Sequence, residues 1–305
     1  MGSSLKGQNF RVLVYDATAQ KFKVVGMATN CVVTLTNNTE EASHKDVVGM
    51  ASMPATVSKS WQVQVDSLNV TDAAAMLTAM KSLTKFKLMW DETSTTDNQT
   101  ALAADEQRIG DAYLSDLTIT FNNRENSVKN LTFVGCGPLE HDSTAPSETI
   151  AVSTTFTKGQ FVRLFLSSDN TATPGAVIAS ARQLSLHISL TLEDNTTKDT
   201  TGDFLYQEPT ALSYDITTSA LISSGENIYS SVDGMAVGDI EDIYDAGTPV
   251  KWQIANVSGY NNRTKDTVIV SGSAVLTQLQ INAQNRTPAD YSATLNGFGA
   301  YTVGA

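Results

Sequence analysis

Apolar and polar residues alternate strictly along much of the chain, the mark of strands that bury one face and wet the other. The clearest run is Leu184-Ser185-Leu186-His187-Ile188-Ser189-Leu190-Thr191-Leu192, which has no helical reading. Earlier in the chain, Trp61, Val63 and Val65 alternate with Gln62, Gln64 and Asp66, and Leu117, Ile119 and Phe121 alternate with Thr118 and Thr120. The pattern predicts antiparallel sheet with one core face. A helical stripe interrupts it where Met76, Leu77, Met80 and Leu83 recur at i, i+1, i+4 and i+7 behind a capping Thr71 or Asp72. A looser stripe, with Ile228, Val232 and Met235 broken by Gly234 and Gly238, predicts a second helix within 225–246.

The pattern occurs twice, in the same order. Lys6-Gly7-Gln8-Asn9-Phe10-Arg11-Val12-Leu13-Val14 returns at an offset of 152 as Lys158-Gly159-Gln160-Phe161-Val162-Arg163-Leu164-Phe165-Leu166. Lys45-Asp46 meets Lys198-Asp199, and the strand from Trp61 to Leu68 meets that from Tyr214 to Leu221. After an insertion, Phe86-Lys87-Leu88 faces Val250-Lys251-Trp252. Leu117-Thr118-Ile119 faces Leu279-Gln280-Ile281, Asn123-Arg124 faces Asn285-Arg286, and Gly135 and Gly137 face Gly297 and Gly299. A period this long implies two whole domains in tandem, not a solenoid. The expected division is 1–140, a linker over 141–156 that is rich in Ser and Thr, and 157–305.

Two long polar stretches, Asn37–Pro54 and Glu193–Thr210, follow the second strand of each half and read as extended loops. They carry Asn37, Glu40, Glu41, His44, Lys45 and Asp46 in the first, and Glu193, Asp194, Lys198 and Asp199 in the second. Asp91–Gln107, acidic and Thr-rich, reads as a surface loop.

Charge narrows the function. The chain has 20 Lys+Arg against 32 Asp+Glu, a net charge of -12. Residues 1–156 carry 12 basic and 17 acidic groups and residues 157–305 carry 8 and 15, so neither half is a hidden basic module. Tight nucleic-acid binding, which needs clustered cations, is not expected. No apolar run is long enough to span a bilayer, and no basic and apolar leader follows Met1, so neither a membrane segment nor a secretory signal is expected. Two cysteines, Cys31 and Cys136, read as reduced thiols rather than a disulfide framework. Triplets such as Asn69-Val70-Thr71 and Asn262-Arg263-Thr264 read as turn and strand-face residues rather than glycan acceptors.

Candidate chemistry is sparse. His44, His141 and His187 are scattered, with no second metal-type ligand at a useful spacing, and His187 sits on the polar face of a strand. Phosphate-loop, dinucleotide, nucleophile-elbow and zinc-protease motifs are absent. Asp239, Glu241, Asp242 and Asp245 read as a solvated acidic face, since they lack the glycine and spacing of a calcium loop. The expectation is a protein that is not an enzyme, with no catalytic residue, cofactor or metal. More informative are the wetted strand faces, where Gln62, Gln64, Asp66, Thr118 and Thr120 are followed in the second half by Asp215, Thr217, Gln278, Gln280 and Asn282, without Lys or Arg. Such a neutral-to-acidic surface does not hold phosphates and suits a conduit through which DNA slides.

The order of Lys-Gly-Gln, paired strands, long loop, Trp/Tyr-bearing strand, helix and closing strands ending in Gly-x-Gly resembles bacteriophage tail tube proteins, and in particular those with two tube domains in one chain. The resemblance covers nearly all of both halves through architecture and loop placement, without a single diagnostic motif. It implies two antiparallel β-sandwich domains, each with a flanking helix and a long loop. It also implies a virion protein, assembled in the host bacterial cytoplasm, whose rings stack into the tail tube that conducts DNA into the host. Within that family six tube domains close a ring, so two per chain imply a homotrimeric, pseudo-hexameric ring. The partners implied are further copies of the chain, a tape-measure protein and other tail proteins, with DNA passing without tight binding. The two polar stretches would then be inter-ring stacking loops, and Gln62, Gln64, Asp66, Thr118, Thr120, Asp215, Thr217, Gln278 and Gln280 would face the lumen. A surface or secreted β-sandwich adhesin that binds carbohydrate, and a β-sandwich carbohydrate-active enzyme, remain alternatives from the sequence.

Overall fold

A computed structural model describes residues 7–16, 21–44, 46, 52–68, 73–93, 101–102, 107–141, 157–200, 202–222, 234–258 and 265–304. Most of the expected linker, 142–156, lies outside them, as do Lys45, Thr71, Asp72, Ile228 and Val232. In chain order the strands are β1 (Phe10–Asp16), β2 (Lys21–Val24), β3 (Ala28–Glu41), β4 (Pro54–Ser67), β5 (Phe86–Thr93), β6 (Ala101–Leu102), β7 (Arg108–Asn122) and β8 (Val128–Gly135). They continue with β9 (Val162–Leu166), β10 (Ala176–Ile178), β11 (Ala181–Asp194), β12 (Gln207–Leu221), β13 (Gly234–Met235), β14 (Val250–Val257), β15 (Lys265–Asn282) and β16 (Asp290–Val303). Helix α1 (Ala73–Lys81) follows β4 and helix α2 (Val237–Ala246) follows β13. The protein is mainly β.

The sixteen strands among the described residues all belong to one hydrogen-bonded sheet. Its central path runs β3-β4-β8-β7-β11-β12-β16-β15. Two flanking paths branch from its long strands: β2-β1-β5 joins β7, and β13-β10-β9-β14 joins β15. The long strands make this possible because each serves two neighbours along one edge. Residues Arg108–Ala112 of β7 pair with β5, whereas Asp116–Asn122 pair with β11. Between these stretches the register slips at Leu114/Asp116, and β15 slips at the equivalent Leu276/Gln278. An extra residue in one strand bends it and increases its twist, which turns the sheet from one path into the other.

The apolar face of the central path and the inward faces of the flanking strands share one core, including Val63, Leu117, Ile188, Ile216, Trp252 and Leu295. Helix α1 buries Met76, Leu77 and Met80, and the Tyr301 hydroxyl from β16 donates to the Leu77 carbonyl at 2.6 Å. Leu83 of the expected stripe lies past the helix end, exposed at positive φ. The second helix starts later than its stripe suggested. Asp239 accepts the Ala236 backbone N–H at 2.8 Å and fixes the first turn, and Met235 belongs to β13. Gly247 closes α2 at φ 59°, an αL cap that glycine adopts without strain.

Matched glycines have a packing reason. The Trp61 ring lies where Gly110 and Gly135 would carry a Cβ, the Tyr214 ring lies likewise over Gly297, and the Trp252 ring and the Tyr214 hydroxyl close over Gly272. Trp61 and Tyr214 then anchor their polar atoms: Trp61 Nε1 donates to the Gly137 carbonyl at 3.0 Å, and the Tyr214 hydroxyl to the Ser273 carbonyl at 2.6 Å.

The polar stretches differ from the sequence expectation. Asn37, Glu40 and Glu41 extend β3, and Glu193 and Asp194 extend β11, so each stretch begins as the stem of a long hairpin. Alternation fails there because both faces of the stem are wet. In the same way Asp91 belongs to β5, and Ala101–Leu102 form β6 within the expected surface loop.

Candidate assembly surface

Opposite the core, the central path presents one polar face. Register places the residues directly: Gln64 faces Val32 and Thr132, Asp66 faces Asn130, and Asn130 faces Thr118. Thr120 faces Ser185, Ser185 faces Thr217, Thr217 faces Thr294, and Thr294 faces Gln278. Gln280 pairs with Ser292, and Gln62 with Thr34. Every sequence-predicted wetted residue therefore stands on a single continuous face: Gln62, Gln64, Asp66, Thr118, Thr120, Asp215, Thr217, Gln278 and Gln280. Its charged groups among these rows are Asp66, Asp116, Asp215 and Asp290, with His187 between two of them. Neither Lys nor Arg appears in the rows.

At the centre of this face the two halves of the chain meet. Gln183–Ser189 of β11 pair in register with Asp116–Asn122 of β7. His187 spans the seam: Nε2 lies 2.7 Å from Asp116 Oδ2 and Nδ1 lies 2.8 Å from Asp215 Oδ1. Both ring nitrogens face carboxylate oxygens that only accept, so both contacts are satisfied when the imidazole is protonated. Partial burial opposes that charge, but hydrogen bonds to Asp116 and Asp215 and their negative charges outweigh it, and the His187 pKa is raised above its ordinary value. A second bond across the seam links the Thr120 and Ser185 hydroxyls at 3.3 Å. On the core side Leu184, Leu186 and Ile188 are buried.

The sequence pointed to Asp215 but not to Asp116 or the clasp on His187. Their partnership depends on a pairing between residues 71 positions apart. The only available signal was an acidic and a basic residue on wetted strand faces.

The ends of the central path are open. Among the described residues β3 pairs only with β4, and Gln278–Asn282 of β15 pair only with β16. These edges expose apolar side chains, with Leu35 63% and Ile281 46% accessible.

The hairpin tips differ from one another. At the first, Glu41 accepts from the Ser43 hydroxyl and, at 2.9 Å, from the Met53 N–H. Those bonds, the Ser43 hydroxyl foremost, lower the pKa of this fully exposed carboxyl. His44 and Asp46 sit nearby, 3.6 Å apart and exposed. The second tip carries exposed Lys198 and Asp199, but its return leg docks on the first half of the chain. Leu205 N donates to the Lys59 carbonyl at 2.9 Å, Gly137 N to the Leu205 carbonyl at 2.9 Å, and Lys59 Nζ to Asp203 at 3.0 Å.

Other candidates hold no assembled chemistry. The acidic residues of α2 line no metal-type cluster, and no group of three or more His, Cys, Asp or Glu side chains converges among the described residues. Cys136 is buried and donates to the Gln207 carbonyl at 3.2 Å, Cys31 is half-buried on β3, and both thiols are free. No helix among the described residues is long and apolar enough to cross a membrane.

No protein-family model and no curated protein matches the chain. Among solved structures it is similar to the tail of an empty GTA particle with C6 symmetry, at 16% identity and a TM-score of 0.36 over 48% of this chain and 95% of that one. It is also similar to the virion of a native gene transfer agent particle, at 15% identity and a TM-score of 0.35 over 49% and 99%. A third likeness is to the SPP1 tail tube, at 17% identity and a TM-score of 0.37 over 48% of this chain and 78% of that one.

Proposed function

We propose that this chain is a structural protein of a phage-type tail tube, built from two tandem tube domains (1–140 and 157–305), whose copies join edge to edge into rings that stack around a channel for DNA. The observation that carries the reading is the central path: a polar face without Lys or Arg, bounded by two open strand edges with exposed apolar residues. An unpaired edge with apolar side chains is a template for another strand, and closure into a barrel removes it. A single chain type that joins head to tail closes a ring when the rotation permits.

In this reading the polar face lines the bore. Carboxylates and amides repel or ignore phosphate, so DNA passes without being held. The chain works as a wall and not as a catalyst, and its place is the virion tail, after assembly in the host cytoplasm beside a tape-measure protein and other tail components. The exposed residues Asn37, Glu40, Glu41, His44 and Asp46 of the first polar stretch, and Glu193, Asp194, Lys198 and Asp199 of the second, face the next ring. Three chains supply six tube domains, giving threefold symmetry that mimics sixfold. Native mass measurement of purified rings tests this: a mass of three chains is expected, whereas six-chain rings or a persistent monomer at high concentration overturn it.

A further inference from the structure

The internal seam is a template for an external one. Strands β3 and β11 have the same length, bounds offset by one constant, and the same pairing to the following strand. Strands β7 and β15 share the bulge that turns them, at Leu114/Asp116 and Leu276/Gln278. Within the chain, β11 already sits on the C-terminal part of β7. Among the described residues the same two surfaces recur unpartnered as β3 and the C-terminal part of β15. Ile188, at the internal seam, is 0% accessible, while Leu35 at the equivalent place on β3 is 63% accessible.

We propose that the occupant of the β3 edge is the β15 edge of a second copy of this chain, in the register of the internal seam, with Val32 opposite Asn282, Thr34 opposite Gln280 and Thr36 opposite Gln278. The proposal rests on the tube reading above and specifies which edges meet and where. The chemistry of the two seams differs. Where the internal seam clasps His187 between Asp116 and Asp215, the external one places Thr34 beside Gln278 and Gln62, all neutral. The external seam therefore lacks the titrating clasp. A β11 edge offered to Gln278 would leave His187 without the Asp116 carboxylate, so the clasp directs β11 to its own β7 and leaves β3 for the neighbour.

Cross-linking tests this in a Cys31→Ala background. The internal pair Thr120→Cys with Ser185→Cys, whose native hydroxyls are 3.3 Å apart, is the positive control and closes within one chain. The equivalent external pair, Val32→Cys with Asn282→Cys, is expected to give covalent dimers and trimers on a non-reducing gel, with the ladder ending at three chains. The pair Val32→Cys with Gln280→Cys, displaced by two residues, is expected to stay monomeric. Thr34→Cys with Gln280→Cys repeats the in-register test should Asn282 prove intolerant. If negative-stain images show tubes while both in-register pairs remain monomeric, or if the displaced pair links instead, the seam is wrong and the tube reading stands. If the unsubstituted chain forms no ring or tube under any condition, the tube reading falls and the seam falls with it.

Discussion

His187 carries the largest single commitment on the polar face, because its two carboxylate partners come from different halves of the chain. A group whose pKa is raised by folding stabilises fully below its unfolded value, about 6.5, and loses that contribution as pH rises through the folded value. Thermal melting should therefore show stability falling as pH increases above neutrality, and His187→Gln should flatten that dependence. An NMR titration of the imidazole should place its pKa above the ordinary histidine value and show it drop in Asp116→Asn. Leu35 and Ile188 give a second comparison at this scale, since they occupy equivalent positions with opposite exposure. Ile188→Ala should cost the folded chain about 2–5 kcal/mol, whereas Leu35→Ala should change monomer stability by no more than about 0.5 kcal/mol and weaken assembly. Denaturant titration of monomer and sedimentation of assembled material separate the two effects.

At the scale of elements, the aromatic side chains that rest on glycines fix how β4 and β12 lie against their neighbours. A Cβ at Gly135 would fall 2.1 Å from Trp61, and one at Gly297 would fall 2.6 Å from Tyr214. Both rings are enclosed and hydrogen-bonded, so neither has room to swing away. Gly135→Ala and Gly297→Ala should each destabilise by roughly 1–3 kcal/mol, measured by chemical denaturation, while Gly238→Ala, with open space around it, should be neutral or better. Strands with one buried face were legible in the sequence, since burial of alternate residues writes itself as period two. Leu184–Leu192 and Trp61–Asp66 are the plainest cases. The stems Asn37–Glu41 and Glu193–Asp194 were not legible, because a strand wet on both faces has no periodic signature. The start of α2 was equally hidden, set by one carboxylate on one backbone N–H and not by the apolar stripe.

For the whole molecule, the repeated order of blocks was visible in the sequence, and the element order β1-β2-β3-β4-α1-β5-β7-β8 is matched by β9-β10-β11-β12-α2-β14-β15-β16, with β6 and β13 each added in one half. What local pattern could not supply was the junction. Pairing of β11 with β7 is a contact between distant segments, and nothing in either strand's own alternation names its neighbour. The polar face is a middle case: the sequence identified its residues strand by strand, and register joined them into one surface with Asp116 and His187 added. In the proposed tube this face becomes the wall of a closed bore, with copies joined through β3 and β15. Electron cryo-microscopy of the purified, assembled protein tests this arrangement. It predicts hollow tubes whose rings each contain three chains, with Gln62, Asp215 and Gln280 on the inner wall and continuous strand pairing across every chain boundary. Rings of six chains, a polar face turned to the outside, or chain boundaries without strand pairing would contradict it.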